Sequence, residues 1–483
     1  MKKIAIIGAG PGGLAAGMVL SKKGYQIDIY EKDFKVGGRS QRLSINEYHF
    51  DLGPTFLMYI DILKEVFNEA GYELEKELEL IRLDSLYTLM FKDVTFDLSK
   101  NPMDNKKMYD RYQMGMGDSY LKWLKAQENK LASIESILKK PFPNLFHFLR
   151  KDVIKALPYL HPFQSVYKHL STFNKDDNFI HSLSFQAKYL GMASYQAPSI
   201  FTILPYLEHA LGLYHVKGGL NQINETMAKL IIKNGGAIHL NHTVNQILIE
   251  DKRVNGIIVN DEIKHYDHVI LNADFAYSMN HLVDEKALNK YKPIKLNQKK
   301  FSVSTFMVYL GLDKTYDLKH HEIIFSKDYE HYLKGLMKGE FDEDFSVYVH
   351  NPSLIDDSYA PKGHSSLYIL IPVPNLKQDK DWETYGAILK EQAISLIEAK
   401  HGINLKDHIV VSKMITPIDW ANNYHVQFGA VFNLAHNLGQ MLCFRPQNKF
   451  NEIKGLFLVG GGTHPGSGLP TIYQSALILK HYL

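Results

Sequence analysis

The sequence predicts an α/β protein with a mixed-sheet domain and a helical insert, on three observations. Strand-like runs of β-branched residues alternate with helix-period segments near both ends of the chain. Residues 101–199 read as helical and aromatic, without strand alternation. Residues 300–412 hold long apolar runs, VSTFMVYLGL and SSLYILIPV, that suit a second, mixed sheet. At 483 residues the chain exceeds one ordinary core. The expected division is 1–100 and 200–290 as two parts of a first α/β domain, 101–199 as the insert, 291–440 as a substrate domain, and 441–483 as a segment returning to the first domain.

The N-terminal elements come first. The run KIAII reads as a strand, and it breaks at Gly8 with no A-x-A-like cleavage site, so it is not read as a signal peptide. Gly8, Gly10 and Gly13 follow in G-x-G-x-x-G spacing and lead into a helix-period stretch that ends at Gly24. A second strand, 27–30, runs into Glu31. Gly8 permits the tight turn, Gly10 lets a pyrophosphate approach the backbone, and Gly13 lets helix and strand pack closely. Free amides of the helix's first turn hold phosphates, and Glu31 is placed to accept from a ribose. The context of strand, glycines, helix and acid makes this Rossmann-like unit a dinucleotide site; the alternative is a packing loop with no ligand.

Two blocks follow the acid directly, GGRSQR at 37–42 and FDLGPTF at 50–56. They resemble the flavoprotein signature in which V-G-G-R after the ribose acid shapes the diphosphate and ring side of FAD. Arg39 is the functional candidate, and Arg42 reads as a solvated surface charge. Residues 62–70 form an amphipathic helix that stops at Gly71.

Composition excludes several classes. With 45% hydrophobic and 22% charged residues the chain is neither disordered nor polytopic, and a net charge of +3 makes no case for nucleic acid. Residues 200–214, an apolar stretch, are interrupted by Glu208 and His209, well short of a spanning helix. The single cysteine, Cys443, excludes an intrachain disulfide and reads as a small buried apolar side chain. Within the insert, residues 139–175 carry seven Lys/Arg against one acid, Asp152, interleaved with Phe142, Phe146, Phe148, Phe163 and Tyr167. That mixture suits a membrane interface, or equally an ordinary domain surface.

Residues 215–274 restore α/β order: a helix over 220–234, a strand over 237–240, a hairpin around DKRVNG, and a strand over 268–271. The loop near Thr243 and Val244 is expected over the adenine. No second G-x-G-x-x-G occurs, so one nucleotide site is expected and the redox partner must be diffusible. A helix over 385–399 belongs to the second sheet. Histidine pairs at 319–322 (KHHE) and 239–242 (HLNH) lack a third ligand at recognisable spacing, so no metal site is expected. A hydrolase elbow is absent in usable register. Near the C-terminus a strand over 455–459 precedes GGGTHPGSG and a helix from Pro470, a proline suited to a first helical turn.

Together, IAIIGAGPGGLAAG, GGRS with FDLGPT, GLYHVKGGL (212–220), CFRPQN (443–448) and GLFLVGGGTHPGSGLPTIYQSA resemble bacterial carotenoid desaturases of the phytoene desaturase type over essentially the whole chain, the insert least. Within that family the chain is most similar to the dehydrosqualene (4,4′-diapophytoene) desaturases acting on C30 backbones. The resemblance implies an FAD-binding domain of glutathione-reductase type. It also implies hydride transfer from a long apolar polyene to the flavin, a diffusible acceptor such as a quinone or oxygen, and a peripheral place on the cytoplasmic face of the cell membrane. It extends the cofactor-binding set to Gly8, Gly10, Pro11, Gly12, Gly13, Glu31, Lys32, Gly38, Arg39, Gly53, Pro54, Thr55, Val244, Gly461, Gly462, Pro470 and Thr471. His464 is the catalytic candidate, at the rim where flavin and substrate meet. The 29 Tyr, 25 Phe and 15 Met are available to line a hydrocarbon tunnel. The alternatives are a C40 phytoene desaturase, a terminal-methyl oxidase, a flavin amine oxidase, which usually carries an acid where this chain has Gly460, Gly461 and Gly462, and a prenyl-binding escort protein without redox activity.

Overall fold

Strand Lys3–Ile7, buried after its first residue, lies at the centre of a five-stranded sheet. In space the order is Ala237–His239, Gln26–Tyr30, Lys3–Ile7, His268–Leu271, Leu456–Leu458, and every pair is parallel. A parallel sheet is covered by helices on both faces, which is why these strands read as continuous apolar runs. In this computed structural model, residues 2–341, 343–378 and 380–483 are described, apart from the side chain of Tyr189. The edge strand from residue 456 brings the C-terminal segment back beside the first sheet's other strands.

The expected elements of this domain are present with shifts of a residue or two: helices Pro11–Lys22, Ile60–Glu69 and Asn221–Lys233. The predicted hairpin gains a third strand, giving Val244–Glu250, Arg253–Val259 and Glu262–His265. Gly8 has φ +96°, the left-handed turn its position requires.

The second sheet has seven strands in the order Ile409–Ile415, Ser304–Leu312, Ser365–Val373, Val347–His350, His321–Ile324, Ser85–Met90, Thr95–Ser99. It is mixed: only the pairing of His321–Ile324 with Ser85–Met90 is parallel. Its last two strands come from the first hundred residues, so the expected boundary at residue 100 cuts through this sheet. Helix Trp382–His401 backs it and is longer than predicted, with the Asp381 carboxylate accepting from the amides of Glu383 and Thr384 at its start and Gly402 in the left-handed region at its end.

The insert is helical as read, with Pro102–Tyr112, Met116–Leu138 and Lys151–Leu160 as its longer helices. Its buried Tyr109, Tyr120 and Trp123 belong to the same hydrophobic cluster as Phe306 and Tyr348 of the second sheet and Trp382 of the helix behind it. The insert is therefore a cover over that sheet rather than a unit with its own core. Cys443 is half-buried against this cluster, less enclosed than expected.

Replacing Gly13 by Ala would set a Cβ 2.4 Å from the Gly8 carbonyl oxygen. Relieving that clash costs about 1–3 kcal/mol. The expected outcome is a lowered melting midpoint and poorer retention of ligand in the glycine loop, read by thermal unfolding; an unchanged melt would contradict the packing role.

Candidate active site

One cavity of about 930 Å³ runs from the carboxyl ends of the parallel strands, under the second sheet, and into the insert. The crevice beyond the strand ends is where open α/β sheets hold ligands. At that end its wall includes Gly8, Gly10, Pro11, Gly12, Glu31, Lys32, Gly38, Arg39 and Val244. The Glu31 carboxylate accepts from the Ala9 amide at 2.8 Å and the Asp33 amide at 3.0 Å, while burial pushes its pKa up. Lys32 donates to Asp33 and to the Asn423 carbonyl. The Arg39 guanidinium donates to the Val431 carbonyl and feels the Asp274 carboxylate nearby, although burial lowers its pKa. Gly13 is off the wall and serves packing alone. Arg42 is not a solvated surface charge: it is half-buried, donates to the carbonyls of Ser358 and Gly218, and lies over the Tyr359 ring.

The middle of the cavity is bounded by Gly53, Pro54 and Thr55 and by the C-terminal loop, where Gly460, Gly461, Pro465, Pro470 and Thr471 line it. A Cβ on Gly53 would lie 2.5 Å from the Arg39 carbonyl oxygen, so these two blocks are mutually dependent. Gly462 packs against Phe275 and is off the wall, and so is His464. The His464 ring is fully buried, its Nε2 lies 3.2 Å from the Lys140 carbonyl oxygen, and burial lowers its pKa to about 4. The residue at the rim is its neighbour Pro465; His464 ties the loop to the insert instead.

Residues that sequence reasoning passed over hold this loop. Arg445 is wholly buried with no carboxylate partner, and its guanidinium donates to the carbonyls of Thr463, Gly461 and Leu434. Burial lowers its pKa to about 9. The Asn448 amide donates to the carbonyls of His464, Leu458 and Ser475. His436 bridges loop and insert: its Nε2 accepts from the Ser467 amide at 3.0 Å, so its Nδ1 is the donor to Leu190. The motif R-P-Q-N carried only resemblance in sequence, because the carbonyls it serves are identified by the fold.

The far arm is apolar. Leu131, Ile134, Leu138, Phe142 and Leu160 of the insert face Ile203, Leu204 and Leu207, so aliphatic residues rather than methionine dominate this wall. Among the described residues four carboxyl groups line the cavity: Glu31, Asp33 and Asp274 lie at the strand ends and Glu208 alone lies in this arm. Glu208 sits where the chain passes from Ile203–Tyr206 into the π-helical turn Leu207–Leu211, a rare geometry that recurs at functional sites. Its Oε2 accepts from Tyr87 at 2.9 Å and from Gln186 at 2.6 Å, whereas its buried Oε1 has no partner. Burial raises its pKa to about 7. Tyr87 also meets His209 Nε2 at 2.8 Å, and His209 Nδ1 meets Tyr120 at 3.0 Å, so a hydrogen-bonded chain leads away from Glu208 into the insert. His209 itself is off the cavity wall, held neutral by burial with a pKa near 3.

The mouth of the arm lies in the basic, aromatic segment. Phe148, Val153 and Leu157 line the cavity, while Phe146 (79% exposed), Leu149 (72%) and Phe163 (97%) stand in the open near Lys151 and Lys155. Phe142 of the same segment is buried and lines the cavity. No helix among the described residues is long and apolar enough to cross a membrane.

Residues 11–478 match the family described as flavin containing amine oxidoreductase. The chain belongs to that family. It is 42% identical to a 4,4′-diapophytoene desaturase (4,4′-diapolycopene-forming) of Methylomonas sp, with 99% of this chain and 94% of that one covered. It is 31% identical to a zeta-carotene-forming phytoene desaturase of Myxococcus xanthus, covering 100% and 94%. A 4,4′-diaponeurosporene-forming desaturase of Staphylococcus aureus is also 31% identical, covering 99% and 97%. Solved structures of the same fold include an oxidoreductase from Methanosarcina mazei (TM-score 0.64, 18% identity, 99% and 100% covered) and putrescine oxidase bound to putrescine (0.63, 14%, 99% and 98%). The Rab GDI of Plasmodium falciparum shares the fold too (0.52, 13%, 99% and 97%). The chain is thus a flavin-containing oxidoreductase.

The cavity fits the FAD of that family. Cβ atoms on Gly10 and Gly12 would come within 3.0 and 2.7 Å of the Asn272 side chain, leaving a bare backbone at the start of the first helix for a diphosphate. Replacing Arg445 by Met would leave several buried carbonyls without their donor, at about 1–3 kcal/mol each. The expected outcome is a lower melting midpoint and a reduced ratio of flavin to protein absorbance; full colour and an unchanged melt would show that the loop stands without this clamp.

Proposed function

We propose that the chain is an FAD-dependent desaturase that introduces conjugated double bonds into a C30 carotenoid precursor of the 4,4′-diapophytoene type, working at a membrane surface. The observation that carries this reading is the apolar arm, joined to the flavin cradle and holding a single carboxyl group. The desaturases to which the chain is 31–42% identical support it. The arm's wall is mostly aliphatic, which suits a hydrocarbon better than a charged ammonium. The escort reading shares only the fold.

In this reading Glu31 and Val244 hold the adenosine, Gly10 to Gly12 with Gly38 and Arg39 hold the diphosphate, and Gly53 to Thr55 with Gly461, Pro470 and Thr471 border the ring. FAD, when bound, supplies the hydride acceptor, and a diffusible oxidant such as a quinone or oxygen restores it. The protein's own contribution begins with area. A hydrocarbon is held by apolar contact at about 25 cal/mol per Å² removed from water. The closed wall keeps water from the reacting carbons. Glu208, through its unpartnered Oε1, accepts the proton that leaves the substrate, and the Tyr87–His209–Tyr120 chain stabilises the carboxyl group in either state. Phe146, Leu149 and Phe163 seat the mouth in the acyl region while the lysines meet anionic headgroups, so the substrate enters from the bilayer.

Co-expression with a C30 or a C40 polyene synthase is the direct test. Coloured polyenes in the C30 background support the reading, colour only in the C40 background moves the substrate to phytoene, and an aldehyde product marks a methyl oxidase. Colour in neither sinks desaturation.

Because the Glu208 pKa is raised to about 7, its carboxylate fraction grows as pH climbs through that value. Turnover is therefore expected to rise through pH 7 and level off above it. Glu208→Gln is expected to lower turnover about 10²–10⁴-fold and to remove this limb while FAD stays bound. Wild-type turnover in E208Q would exclude Glu208 as the proton acceptor.

In a flotation assay with anionic liposomes, the triple substitution F146S/L149S/F163S is expected to shift the protein to the soluble fraction. Equal recovery of variant and wild type with the vesicles would remove the membrane reading.

A further inference from the structure

Three histidines outside the cavity meet in a way their spacing hides. His320 and His321 stand side by side, and His321 opens the strand His321–Ile324, which pairs antiparallel with Val347–His350 in the register His321 to His350. The third imidazole that a metal site needs therefore comes from across the ladder, twenty-nine residues from His321 in the chain. The ring centroids lie 4.3 Å (His320 to His321), 4.7 Å (His320 to His350) and 4.9 Å (His321 to His350) apart. One ligand nitrogen of each lies within 4.8 Å of the others.

The environment is unusual for histidine. All three are buried, with 5%, 1% and 1% of their surface exposed, and both ring nitrogens of His320 and both of His350 lack any hydrogen-bond partner among the described residues. Buried polar atoms are nearly always paired, and here one nitrogen of His320 and one of His350 are each free to take a ligand. His321 is already oriented: its Nδ1 meets the Tyr348 hydroxyl at 2.7 Å, and that hydroxyl meets Thr55 Oγ1 at 2.6 Å, leaving Nε2 for coordination. A partner on the second nitrogen is what fixes a ligating imidazole. On the far side of His320, His215 bonds the Asp356 carboxylate at 2.8 Å, and that carboxylate also pairs with Lys217 at 3.3 Å.

We propose that His320, His321 and His350 form a three-imidazole site for a late first-row divalent cation, Zn²⁺ foremost. Nitrogen donors without thiolates or a carboxylate in the set suit Zn²⁺, Co²⁺, Ni²⁺ or Cu²⁺ rather than Mg²⁺ or Ca²⁺. Tetrahedral ligands at about 2.0–2.1 Å from the metal stand roughly 3.4 Å apart, so the rings close by about an ångström on binding. The site lies behind Thr55 and Phe56, whose ring stacks on His321 at 4.4 Å, and the metal would clip two strands of the second sheet to one another behind the segment that borders the cavity. Its role is structural, and it needs no step of the redox chemistry.

The test uses the full-length flavin-loaded protein, stripped with a chelator and titrated with Zn²⁺ alone. The expected result is one equivalent bound per chain and a raised melting midpoint. Co²⁺ should give the visible absorbance of a tetrahedral site, at wavelengths beyond the flavin band. His350→Ala is expected to weaken Zn²⁺ binding on the order of tenfold or more, whereas His265→Ala, an exposed control, leaves it unchanged. If the wild type shows neither a stoichiometric Zn²⁺ uptake nor a tetrahedral Co²⁺ spectrum, the proposal falls, whatever H350A does. Binding that persists undiminished in a folded H350A would place the ion elsewhere and overturn the assignment.

Discussion

In the proposed reading the substrate is a hydrocarbon, which offers a protein no hydrogen bond to hold, and this constraint organises the molecule. Binding must come from enclosed apolar area, so the cavity has to be long, dry and lined by rigid elements. The same cavity has to accept a charged dinucleotide at its other end. The fold meets both demands by placing the polar cradle at the carboxyl edge of a parallel sheet and the apolar arm between a second sheet and a helical cover. Neither sheet could form the cavity alone, because the two arms share the wall between Gly53–Thr55 and the C-terminal loop.

That shared wall is held from behind rather than from within the cavity. Arg445 and Asn448 grip backbone carbonyls of the C-terminal loop, His436 bridges it to Leu190, and His464 reaches Lys140 in the insert. Such buried polar contacts are costly when incomplete and confer rigidity when satisfied. A loop that must present bare glycine backbone on one side gains its rigidity from side chains on the other. The same logic applies on the second sheet, where Tyr348 and Tyr368 bond Thr55 and the Gly53 carbonyl.

The legibility of the sequence follows the range of the interactions concerned. The glycine loop, Glu31 and the parallel strands are written in local pattern, since turn, helix start and strand lie within thirty residues, and they stand where the pattern puts them. Contacts between distant segments left no such trace. Strand Ser85–Met90 reads like any apolar run, and its place in the second sheet is decided by His321–Ile324 far downstream. His464 looked like a rim residue because its neighbours are, but its backbone turns the ring inward and presents Pro465. In sequence Glu208 is a break in an apolar stretch and one of several polar groups in the segments that carry the resemblance, with nothing to single it out as the base. Its single orphaned oxygen and raised pKa exist because Tyr87, Gln186 and the insert close around it. His320 and His321 were set aside for want of a third ligand that strand pairing supplies.

The central claim is that this cavity lets a hydrocarbon, rather than an amine, deliver hydride to the flavin. An anaerobic half-reaction addresses it without cells or an electron acceptor: the flavin-loaded protein is mixed with liposomes carrying 4,4′-diapophytoene, or with a simple alkyl amine, and flavin absorbance is followed. The account predicts bleaching with the hydrocarbon, matched by the growth of polyene absorbance, and none with the amine. Bleaching by the amine alone would contradict it.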